Sequence, residues 1–147
     1  MTGALFTLTF ALAAPFWVLM ILLPRWHMTS RIIASPLIVA PVLVIYTVLV
    51  LPALGDVLPA VASPTLDGIR DLLGTDDGAA AAWAHMIAFD LFVGAWAWRD
   101  SRERRMPALV MAPVLVSTIL LGPIGLAVYL VVRTRWTRPV SAPSSRA

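Results

Sequence analysis

The 147-residue sequence contains no cysteine. Disulfides, iron–sulfur clusters, thiolate metal sites and cysteine nucleophiles are therefore excluded. Lysine, asparagine and glutamine are missing as well. Without lysine no Schiff base can form, which removes the retinal-linked chemistry of opsins. Charge is scarce: 13% of residues carry one, about half the share of a water-facing domain. In its place the chain is 60% hydrophobic, with a mean hydropathy of +0.87. Neither a soluble monomer nor a disordered chain has that composition. The length allows one domain.

All 11 basic residues are arginine, giving a net charge of +3 and a pI near 10.6. Such a pI can mark a nucleic-acid binder, but these arginines flank apolar runs and do not line a helix face. They read as membrane-surface anchors, and no nucleic-acid partner is expected.

Four stretches, 5–23, 32–54, 79–98 and 106–132, contain a single charged residue between them, Asp90. Each reaches the roughly 20 apolar residues that a membrane-crossing helix needs. The bilayer core holds no water to satisfy backbone groups, so the segments must be helices. The expected fold is an all-α integral membrane bundle of about four transmembrane helices, a single domain over 1–133, in the cell membrane as a multi-pass protein. A disordered Ser/Pro-rich tail is expected over 134–147. The first stretch reads as a retained helix and not a signal peptide. No Arg or Lys precedes it, and it runs through Pro15-Phe16-Trp17 to Pro24-Arg25-Trp26 with no small-residue cleavage site.

The loops after the first and third stretches are basic (Arg25 and Arg31; Arg99, Arg102, Arg104 and Arg105). The second, 55–78, is acidic. Positive charge stays cytoplasmic, so the basic loops are placed inside. The last stretch holds Pro113, Gly122, Pro123 and Gly125. The simpler reading is one long, kinked and tilted span. A re-entrant hairpin is the alternative, and it would gather every arginine except Arg70 on one side. Within the acidic loop, Ser63-Pro64 predicts an N-cap with proline at the first helical position. Leu66, Ile69, Leu72 and Leu73 then share one face and Gly74 ends a short interfacial helix. Trp26, Trp83, Trp96, Trp98 and Trp136 fall near span ends, where interfacial anchoring explains them.

Two ionisable residues lie within a span. A centrally placed Asp costs about 2.5–3.5 kcal/mol on insertion scales, so Asp90 is a functional candidate by default, with His85 beside it. Five residues turn a helix by about 140° and advance it by about 7.5 Å, so the two do not touch. His85, Phe89, Phe92 and Trp96 form a histidine-headed aromatic stripe. Asp90 shares its face with Gly94 and Ala97, small residues that admit a neighbouring helix. Its expected partners are hydroxyls: Thr7, Thr9, Ser117, Thr118 or Tyr129. The plainer alternative makes Asp90 interhelical glue and the stripe a packing surface. His27 and His85 lie on different segments, so no metal site is expected. There is no glycine-rich phosphate loop and no nucleophile elbow.

Three stretches carry a resemblance: Ala14-Pro15-Phe16-Trp17-Val18-Leu19-Met20 with Pro24; Ala82-Trp83-Ala84-His85-Met86 running to Phe89-Asp90-Leu91-Phe92 and Asp100; and Gly122-Pro123-Ile124-Gly125. Through them the sequence resembles the abscisic-acid-deficient 4 family, plant plastid membrane proteins required for neoxanthin formation, with bacterial relatives. The likeness covers roughly residues 5–133. It departs at Tyr129, where plant members carry a histidine.

The resemblance implies a multi-pass membrane protein of isoprenoid or carotenoid metabolism. In the plant case a carotenoid 5,6-epoxide becomes an allenic alcohol with no net oxidation and no cofactor. An isomerase of that kind would use Asp90 as acid and His85 as base. Trp17, Trp83, Phe89, Phe92 and Trp96 would line the polyene. The competing expectation is a bundle that binds a carotenoid or lipid, or assists a partner enzyme, without turning anything over. Membrane lipids and an isoprenoid ligand are the expected partners, with a homo-oligomer as a further arrangement. A proton-coupled transporter is the third reading, and a bundle this small would need oligomerisation for it.

Overall fold

The computed structural model describes residues 1–136. Every regular element there is helical: α1 (Thr2–Leu22), α2 (His27–Ala34), α3 (Ala40–Val50), α4 (Leu54–Ala62), α5 (Leu66–Leu73), α6 (Asp76–Glu103), α7 (Ala108–Leu121) and α8 (Pro123–Val132), with short 3-10 turns at Pro36–Val39 and Arg133–Arg135. The tail was expected from 134 onward. The Arg133–Arg135 turn and Trp136 belong to the folded part, and 137–147 lie outside the described residues.

Two of these helices, α1 and α6, are long and apolar enough to cross a membrane. The count becomes three if the bent pair His27–Ala34 and Pro36–Val50 is one broken span. The expected second stretch is thus not a straight helix. Pro36 removes a backbone donor after Ser35, whose hydroxyl accepts from Leu37 N at 3.2 Å, and the axis turns by 77° there.

The fourth stretch corrects the sequence reading more deeply. It is not one kinked span but a hairpin. The 14 residues of α7 extend about 21 Å and the 10 of α8 about 15 Å, each short of a hydrocarbon core of about 30 Å. Between them Gly122 adopts φ +40°, which a side chain resists, and Pro123 starts the new helix. Gly125 then lies directly against the backbone of Thr118, where a Cβ would have no room. On a continuous helix, residues seven apart would be separated by about 10 Å. Their contact means that the chain has turned back. α8 returns beside α6 in the same direction, Gly122 next to Asp90 and Tyr129 next to Asp100.

α6 is the central element and packs against α1, α3, α5, α7 and α8. Thr75 caps it by accepting from Gly78 N at 3.0 Å, and Asp76 and Asp77 complement the positive end of its dipole. Midway, Gly94 receives the ring of Trp17 from α1 so closely that no Cβ would fit. The core runs along this seam through Ala13, Trp17, Met20, Leu91, Ala95 and Leu115. In the acidic loop α5 ends at Gly74 as expected but starts two residues later, at Leu66 and not Pro64: its cap is Thr65, accepting from Gly68 N at 3.1 Å, and not Ser63. α4 was not expected. Its signal is Leu54, Val57, Leu58 and Val61 at helical spacing, interrupted by Pro59.

Candidate functional site

The stripe predicted on α6 exists and faces outward. His85 is exposed, and Phe89 and Phe92 are 57% and 55% exposed. The His85 ring lies 4.7 Å from Phe89 and 5.7 Å from Tyr46 of α3. Beyond it, Val39, Leu43, Ala88, Phe89 and Phe92 line an open apolar groove of about 250 Å³ between α3 and α6. Tyr46 is therefore part of this site, and sequence reasoning missed it. It lies on the bent second segment, and nothing local pairs it with a residue 39 positions away.

The other aromatic candidates scatter. Trp96 continues the stripe and meets Tyr129 edge-on at 5.6 Å. Trp83 stacks on Phe6 of α1 at 5.4 Å, half-buried. Trp17 is in the core, its ring occupied by Gly94. It packs the bundle and lines no part of the groove.

Asp90 looks the other way from His85. Its carboxylate meets the hairpin turn, where a Cβ on Gly122 would come within 2.7 Å of Oδ1. Four of the five hydroxyls expected as its partners, all but Ser117, are engaged elsewhere. Thr7, Thr9 and Thr118 donate to carbonyls four residues back on their own helices, at 3.1, 2.8 and 3.0 Å. Tyr129 donates to Asp100 at 2.5 Å. The structure thus does not bring Asp90 and His85 together around one small reacting group.

The densest polar cluster is one that the sequence did not single out. Asp100 is 4% exposed and accepts from Tyr129 and from Arg104 Nε at 2.8 Å, with Arg133 Nε at 3.4 Å. Arg104 also donates through Nη1 to the carbonyl of Trp136 at 2.8 Å. The Arg133 guanidinium lies 5.4 Å above the Trp96 ring. A buried carboxylate is tolerable only with such partners. The Asp100–Arg104 half was legible as an i, i+4 pair, and the rest arrives with the returning helix.

At the opposite end of the molecule an open cavity of about 840 Å³ lies between α3, α4, α5 and the start of α6, with Asp56, Asp71, Asp76 and Asp77 around it. Among the described residues no three His, Asp or Glu side chains are grouped to hold a metal.

The sequence model of the ABA DEFICIENT 4-like family matches residues 4–129. No curated protein and no solved structure matches the chain. The match runs from the start of α1 through the hairpin to Tyr129, and so takes in the stripe, Asp90 and Asp100 alike. The chain belongs to the ABA DEFICIENT 4-like family, and with it to membrane-associated, isoprenoid-related proteins.

Proposed function

We propose that this is a multi-pass membrane protein that seats a long isoprenoid, of carotenoid or related kind, side-on along α6. The observation that carries the reading is the groove itself. Its walls are apolar, its floor is two exposed phenylalanines, and it opens laterally, where a bilayer would supply the ligand. Aromatic faces suit a flat polyene. A ligand-binding role asks nothing of Asp90 and His85 jointly, in keeping with their separation.

The test is extraction of bound isoprenoid from protein purified in mild detergent. The wild type is expected to retain pigment or prenyl lipid, and the Phe89→Ala, Phe92→Ala double variant to lose most of it while unfolding at the same temperature. Equal retention by both would remove the groove from consideration.

One observation favours a catalytic reading as well. His85 and Tyr46 stand at the head of the groove, so an imidazole and a phenol face one ligand end. In an acid–base isomerisation of a xanthophyll-like epoxide end group, His85 removes a proton from carbon, the C–H electron pair forms the new C=C bond as the C–O bond breaks, the opening oxygen takes a proton from Tyr46, and the proton held by His85 then returns to Tyr46. Bonds and protons balance with no oxidant. On this geometry Tyr46, and not Asp90, is the acid. His85→Ala and Tyr46→Phe are expected to abolish conversion with bound isoprenoid unchanged, and Asp90→Asn to leave conversion intact. Loss on Asp90→Asn alone would restore the sequence-based pairing.

A further inference from the structure

The stripe on α6 has a second polar end. Trp96 lies 11 residues beyond His85 on the same face, about 16 Å along the axis. It is 40% exposed, with the Arg133 guanidinium above its ring and Tyr129 against its edge. Arg133 is committed on one edge only. Its Nε approaches Asp100, while its terminal nitrogens make no hydrogen bond among the described residues. Arg104 differs, because both Nε and Nη1 are used. Among the described residues two guanidinium groups thus share the carboxylate of Asp100, and the one with a spare fork overlooks the aromatic floor.

We infer that this end receives the anionic head of a long-chain isoprenoid phosphate, its chain lying over Trp96, Phe92 and Phe89 toward His85. The inference rests on the groove reading and adds the head. A guanidinium fork offers two parallel donors that match two phosphate oxygens, which makes arginine the residue of choice for such groups. The floor beneath is aromatic and flat, and stacks on an unsaturated chain better than it packs a saturated one. The charge is complementary: positive at the Arg133 end, none along the rest of the stripe. A passing membrane phospholipid is the competing occupant.

Binding of farnesyl diphosphate to the full chain, in nanodiscs of phosphatidylcholine, decides it. Farnesol supplies the chain without the charge, and inorganic diphosphate the charge without the chain. Farnesyl diphosphate is expected to bind about tenfold more tightly than farnesol, the gain of charge-assisted hydrogen bonds. Arg133→Gln should abolish that preference and Arg133→Lys restore part of it. Phe92→Ala should weaken both prenyl ligands equally. Arg104→Gln disturbs the same buried cluster without touching the head, and should leave the preference intact.

Equal binding of farnesol and farnesyl diphosphate overturns the inference while the groove reading stands, provided that Phe92→Ala weakens both. Loss of preference in Arg104→Gln as in Arg133→Gln also overturns it, because the effect would then be structural. So does displacement of farnesyl diphosphate by an equal amount of phosphatidylglycerol in the disc, which would mark ordinary lipid only. Failure of every prenyl ligand to bind removes the groove reading too.

Discussion

Asp90 and Asp100 lie ten residues apart on one helix and have opposite fates. Asp90 sits in the middle of an apolar stretch, where a carboxylate is costly, and its side chain meets the turn at Gly122. Asp100 follows the stretch, among arginines, where a carboxylate would ordinarily be solvated, yet it is buried and held from three sides. Hydropathy ranks the two by the solvent around the helix. The structure ranks them by what the returning α8 brings: its amino end to Asp90, its Tyr129 and following Arg133 to Asp100. The carboxylate that looked exceptional in the sequence is loosely engaged, and the one that looked ordinary clamps the hairpin to the bundle.

Removing the clamp should have the largest effect. Asp100→Ala leaves two partly buried guanidinium groups unpaired and should cost about 3 kcal/mol, the lower end for breaking a buried ion pair. Thermal unfolding in detergent measures it, and a loss below about 1 kcal/mol would mean that the cluster is solvated and the contrast with Asp90 is illusory. Gly94→Leu comes next. Trp17 occupies the space that the new side chain needs, so the α1–α6 seam must open, at a cost of about 2 kcal/mol. A fully stable variant would place that face of α6 away from α1. Asp90→Asn is the smallest, expected to shift stability by less than about 0.5 kcal/mol, since it breaks no hydrogen bond among the described residues. A large loss there would show that the charge holds the hairpin tip, and would make the two aspartates equals.

Much of the fold was legible because it depends on neighbours in sequence. The apolar stretch around Asp90 reports α6, and Leu66, Ile69, Leu72 and Leu73 report α5 with its stop at Gly74. The stripe from His85 to Trp96 follows from helical spacing alone. What was misread depends on distant contacts. Gly122-Pro123 is compatible with a kink and with a reversal, and the choice is made by Gly125 fitting against Thr118. Pro36 lies in a stretch as apolar as a straight span, and hydropathy is blind to a bend. Tyr46 reaches His85, and Arg133 reaches Asp100 and Trp96, only after the helices are packed. For the candidate site, then, one strand of evidence was local, the aromatic row on α6 with His85 at its head, and the polar groups that join its two ends, Tyr46 and Arg133, came from elsewhere in the chain.

The reversal at Gly122 also decides where the chain emerges. Because α8 retraces the direction of α6, a reporter fused after Trp136 and one inserted between Glu103 and Ala108 should light up in the same compartment. Set in a membrane, the segment between them would dip into the oil and come back out by the door it entered, adding two half-helices to the bundle and no crossing to the count.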